Sequence, residues 1–149
     1  MPVDSYFSII LVLRIAIPGL YFIVAIGYYK QFLELSKKLS VWVKPVLYTG
    51  LFLHIILFGF LYIKRGTIPV FTVFEGLLAC SLILSVLYMI LECILNETCY
   101  GAFLQPVNSV ISLIASIYLF TGEPLPDSMT SPYFIFHVMI LSAAYACFF

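Results

Sequence analysis

Long apolar runs alternate with short polar breaks along this chain, and each run is close to the length that crosses a bilayer. A helix needs about 20 apolar residues to span ~30 Å of hydrocarbon. Segments that qualify are Tyr6 to Tyr29, Pro45 to Ile63, Ile68 to Leu91, Tyr100 to Phe120 and Pro132 to Phe149. The breaks carry the residues that end helices: Lys30 and Lys44 around the first, Gly66 and Pro69 in the second, Asn96 in the third, then Gly122, Pro124, Pro126 and Pro132. The pattern predicts an all-α protein, a single polytopic transmembrane helix bundle with five spans and no internal repeat or second domain.

Composition agrees with lipid as the solvent. Of 149 residues, 64% are hydrophobic and 9% charged, and the mean hydropathy is +1.15. Seven basic and seven acidic side chains cannot clothe a soluble core of this size. The formal charge is zero and no Lys/Arg patch exists, so nucleic acid is excluded as a partner by the usual electrostatic footprint. The first run is too long for a cleaved signal segment and is read as a retained span.

Positive charge assigns the sides. The first loop holds Lys30, Lys37, Lys38 and Lys44, the second only Lys64 and Arg65. The first loop is therefore expected inside, with the amino terminus and the Glu123/Asp127 loop outside and the carboxyl terminus inside. The last run stops at Phe148 and Phe149 without an interfacial anchor. It predicts the amino-terminal part of a larger bundle, or a half that needs a partner.

A few polar residues interrupt the spans. Counting ~1.5 Å per residue from the outer ends places Arg14, His54, Glu75 and His137 roughly 8 to 14 Å deep in one layer. Arg14 and Glu75, opposite in sign, are expected to form a buried structural pair, since either alone is costly in hydrocarbon. Gln105, Asn108, Ser109, Ser112 and Ser116 recur every three or four residues and form one helical face, expected to pack into the bundle. His54, with Gly50, Leu57, Phe58 and Leu61 on its side, and His137, followed by Leu141, Ala144 and Tyr145, are the candidate functional residues. A desolvated neutral imidazole suits a metal or haem iron; one satisfied by a nearby hydroxyl is the structural alternative.

Cys80, Cys93, Cys99 and Cys147 form no CxxC and no Cys/His zinc spacing. No GxSxG, HExxH or phosphate loop is present, so the chain offers no sign of independent catalysis.

From Gly66 the sequence reads Gly-Thr-Ile-Pro-Val-Phe-Thr-Val-Phe-Glu-Gly-Leu-Leu. It resembles the G-x-F/I-P-L/V-x-N-x-Y-E-S-L segment of the CcsA/ResC and HemX-like cytochrome c assembly family, matching at Gly66, Pro69 and Glu75. From His137, His-Val-Met-Ile-Leu-Ser-Ala-Ala-Tyr-Ala is similar to that family's H-V-x-M-x-x-x-S-Y-A helix, with Tyr145 and Ala146 retained, and His54 stands where HemX-like members place a histidine. Thr72 replaces the Asn, Phe74 the Tyr, Gly76 the first Ser and Ala144 the second. The likeness runs from the second span to the chain end and covers the amino-terminal half of a full member.

The resemblance implies a haem-handling protein of a bacterial-type inner membrane. With a second assembly protein, or the missing carboxyl-terminal half, it would present haem for attachment to apocytochrome c. It makes His137 an iron ligand; a haem-handling half-bundle built on it would take His54 as a second candidate ligand, Tyr145 against the macrocycle, and Lys64 or Arg65 at the propionates. The family's tryptophan-rich haem-presenting motif is absent, the one tryptophan being Trp42. Two other classes fit the same residues: a structural or regulatory membrane subunit, and a proton or small-solute path lined by Arg14, Glu75 and the histidines.

Overall fold

The computed structural model describes residues 3–33, 41–66 and 68–118, together with Tyr133, Phe136, His137, Ile140, Leu141 and Ala144. Four helices are described along their length: α1 (Val3–Leu33), α2 (Val43–Arg65), α3 (Val73–Leu95) and α4 (Gly101–Ile117). Stretches of three of them, Ser8–Leu33, Val43–Arg65 and Val73–Leu95, are long and apolar enough to cross a membrane, and α4 is a shorter apolar helix of 17 residues. No strand occurs among the described residues. The molecule is an all-helical integral membrane protein.

The expected spans shift at their edges, and the physical reasons are local. α2 ends on Gly66, whose φ of 70° is the left-handed conformation that closes a helix, its N–H returning to the Tyr62 carbonyl. α3 begins at Val73 rather than Ile68. Thr72 caps it, accepting from the Glu75 N–H while the Glu75 carboxylate accepts from the Thr72 N–H. This reciprocal capping box fixes the start of the helix and outweighs the apolar residues ahead of it. α4 ends at Ile117, before the expected Phe120. Of the fifth expected span, the six described residues are helical and exposed.

α1 packs along both α2 and α4, and α3 along α4; the thinnest contact is between α2 and α3. Tyr21, Val24 and Tyr28 of α1, Leu57 and Leu61 of α2, Phe74 and Tyr88 of α3 and Ala115 of α4 fill the middle. The start of α4 approaches closely enough that a Cβ on Gly101 would lie 2.6 Å from the Tyr28 ring. The polarity is inverted relative to a water-soluble domain. His54, Glu75, Ser81, Ser85, Gln105, Asn108 and Ser112 are all 1% exposed or less, whereas Val12, Ile15, Phe22 and Phe52 are each at least 58% exposed. Hydrocarbon accepts the apolar outside, and polar side chains find partners only between helices.

Candidate functional site

The Gln105–Ser116 face of α4 turns inward, as its spacing requires, and supplies the centre of a buried hydrogen-bond chain. Asn108 accepts from the Ser81 hydroxyl at 2.6 Å and donates to Ser85 Oγ at 2.7 Å, tying α4 to α3. Tyr21 of α1 has Ser85 and Asn108 as polar neighbours, and its hydroxyl stands 3.1 Å from His54 Nδ1 on α2. All four helices thus meet through one polar thread. The Ser85 hydroxyl donates to the Ser81 carbonyl at 2.9 Å, and Tyr21 and Nδ1 share one hydrogen, the ring tautomer setting which of them donates. Nε2 has no hydrogen bond, its other polar neighbour being the backbone at Leu78 of α3. His54 is 0% exposed.

His137 occupies the opposite kind of environment. It lies on a helical stretch with Tyr133, Phe136, Ile140, Leu141 and Ala144, all of them exposed. This is an apolar face with one accessible imidazole. Among the described residues, no hydrogen bond or ring contact joins His137 to His54.

The expected Arg14–Glu75 pair is replaced by two separate arrangements. Glu75 stands in the first turn of α3, at one end of the bundle. Its carboxylate turns back to its own cap, accepting from the Phe71 and Thr72 N–H groups at 3.1 and 3.2 Å, and takes Arg65 Nε at 3.0 Å. Arg65 is the nearer cation because the loop from Gly66 to Phe71 brings the end of α2 beside the start of α3. Arg14 instead reaches the end of α4, where Nη2 donates to the Ser116 carbonyl and, at 2.6 Å, to the Tyr118 carbonyl. Carbonyls at a helix end are short of donors and carry the negative pole of the dipole, so a guanidinium satisfies both needs. The single polar layer also divides: Tyr21, which meets His54, lies two turns further along α1 than Arg14, about 10 Å deeper.

At the other end Glu92 receives the Tyr28 hydroxyl at 2.8 Å and Lys44 Nζ at 2.8 Å, and Gln31 Nε2 donates to Thr98 at 2.6 Å. These contacts, with Tyr21, Ser81 and Ser85, are the polar positions the sequence did not single out. The cap at Thr72, also not singled out, had a signal: Thr-x-x-Glu at 72–75 is a capping-box signature. The hydroxyls of Tyr21, Ser81 and Ser85 carry none, because Tyr and Ser recur throughout the chain and only packing selects among them.

Of the residues expected near haem, Lys64 is exposed and Arg65 is engaged by Glu75. Tyr145 lies outside the described residues, as do Lys37, Lys38 and the Glu123/Asp127 loop. Among the described residues no group of three or more His, Cys, Asp or Glu could hold a metal ion. Haem needs only axial ligands, so accessibility of an imidazole is the relevant test. His137 is exposed, whereas His54 is enclosed and hydrogen-bonded. No protein family, curated protein or solved structure matches the chain. The cytochrome c assembly resemblance therefore stands on the residues at 66–78 and 137–146 themselves.

Proposed function

We propose that this membrane protein handles haem in cytochrome c biogenesis, with His137 as the axial ligand and a second protein supplying the opposite side of the macrocycle. The observation that carries the reading is the exposure of His137 on an otherwise apolar helical face. An ionisable ring in such a setting is expensive unless something binds it, and the exposed apolar side chains beside it suit a porphyrin. Haem would supply the iron chemistry; the protein supplies the imidazole, the apolar wall and the exclusion of water.

The rest of the proposal follows from charge and resemblance. The basic first loop faces the inside of a bacterial-type inner membrane, the amino terminus and the His137 end of the fifth span face outside, and apocytochrome c receives the haem there through the partner. His54 serves in this account as a hydrogen-bonding strut rather than a ligand. The test is the absorption spectrum of detergent-purified protein supplied with haem: a Soret band that His137→Ala abolishes is expected, and a band unchanged in that variant removes His137 from the site.

A second reading has one observation in its favour. The sealing of His54, Asn108 and the serines inside the helix interfaces is what a purely structural or regulatory subunit requires. In that case, replacing His137 leaves partner assembly and cytochrome c maturation intact.

A further inference from the structure

The guanidinium of Arg14 is held firmly and yet has no counter-charge among the described residues. Its central carbon lies 4.8 Å from the centroid of the Phe74 ring, and Nη2 is fixed to the Ser116 and Tyr118 carbonyls. Nε is buried without a hydrogen-bond partner. No described carboxylate pairs with the group: Glu75 is held by Arg65, while Glu92 and Glu97 belong to the other end of the bundle. Arginine has five N–H donors and stays charged. Carbonyl dipoles and a ring face offer partial charges only, so a full positive charge remains within an apolar span, the kind of position that marks a ligand.

We propose that Arg14 is a binding site for the oxyanion, carboxylate or phosphate, of an amphiphile whose apolar body lies in the membrane. The chemistry follows from the site. A charge-assisted hydrogen bond from guanidinium to an oxyanion is about twice as strong as a neutral one, and the anchors on α4 and Phe74 hold the donors in place before the ligand arrives. Two sources carry this group. One is a haem propionate, a form of the inference that rests on the haem reading and moves the propionate contact from Arg65, which Glu75 occupies, to Arg14. The other is the phosphate of a phospholipid headgroup, which is independent of that reading.

Two paired titrations in dodecyl maltoside test it. In the first, wild type, Arg14→Gln, Arg14→Lys and Lys64→Gln are titrated with haemin and with its dimethyl ester, which keeps the ring and neutralises both acids. The diacid should bind wild type about tenfold more tightly, a preference lost in Arg14→Gln, weakened in Arg14→Lys and kept in Lys64→Gln. In the second, phosphatidylglycerol is compared with diacylglycerol of the same chains. The phospholipid alone should raise the melting temperature of wild type by a few degrees, and not that of Arg14→Gln. Absence of porphyrin binding would defeat the haem reading and leave Arg14 to the lipid pair. If wild type treats diacid and ester alike and both lipids alike, the site does not exist, and that outcome needs no foldable variant. A diacid preference lost in Lys64→Gln and undiminished in Arg14→Lys would overturn the assignment to Arg14.

Discussion

Arg14 and Ser116 exchange hydrogen bonds in both directions. The Arg14 side chain donates to the Ser116 carbonyl, and the Ser116 hydroxyl donates to the Arg14 carbonyl at 2.6 Å. The second bond has a cause four residues along α1, where Pro18 has no N–H to offer the Arg14 carbonyl. α4 thus repairs the gap that proline leaves in α1, and α1 in turn caps α4.

Ser116→Ala should therefore cost more than loss of an ordinary serine on this face. Removing the hydroxyl leaves the Arg14 carbonyl without its donor, and the expected loss is about 0.6 to 1.7 kcal/mol, the range for interhelical hydrogen bonds in membranes. Restoring an amide with Pro18→Ala in the same chain should recover most of it. Unfolding in mixed micelles of the two single variants and the double variant measures the coupling.

At the α2–α3 loop, Glu75→Gln should destabilise by about 3 kcal/mol, because it removes the charge opposite Arg65 and weakens the cap of α3 together. Thr72→Ala removes only the cap and should cost about 1 kcal/mol. Equal losses in the two variants, measured by the same unfolding, would show that the ion pair contributes nothing.

Glycine replacements separate close approach from ordinary packing. Gly101→Ala drives a methyl group to 2.6 Å from the buried Tyr28 ring and 2.5 Å from the Tyr88 hydroxyl, so it should lower stability by about 1 to 3 kcal/mol. At Gly50 the nearest atom to an added Cβ is 3.5 Å away, at Leu20, and Gly50→Ala should be neutral or slightly stabilising through helix propensity. Melting temperatures of the pair check both signs.

Tyr21→Phe should loosen the junction of the four helices while leaving the helices formed. It deprives His54 Nδ1 of its hydrogen-bond partner at 0% exposure and is expected to cost about 1 to 2 kcal/mol. Imidazole nitrogen shifts by NMR should report a single tautomer in wild type and a tautomer mixture in the variant.

The apolar runs made the first four helices legible, since hydropathy over 18 or more residues is a coarse and redundant signal. The inward turn of Asn108 and Ser112 was legible too, because a three-and-four spacing leaves one face for them. Pairings were not. Arg14 and Glu75 invite each other by charge, but the choice lay with backbone groups that composition does not display: the α4 carbonyls, the amide missing at Pro18 and the N–H groups ahead of α3. The two histidines also look alike in sequence, each set in an apolar run. Only packing distinguishes His54, closed in by Tyr21 and the backbone at Leu78, from His137 on an open face.

The haem binding proposed for His137 turns on that difference. Haem titration of His137→Ala and His54→Gln in parallel, followed at the Soret band, tests it most directly. His54→Gln should bind as wild type does, with its hydrogen bond to Tyr21 kept by the amide, and His137→Ala should lose the band. Loss of the band in His54→Gln with full binding by His137→Ala would contradict the account.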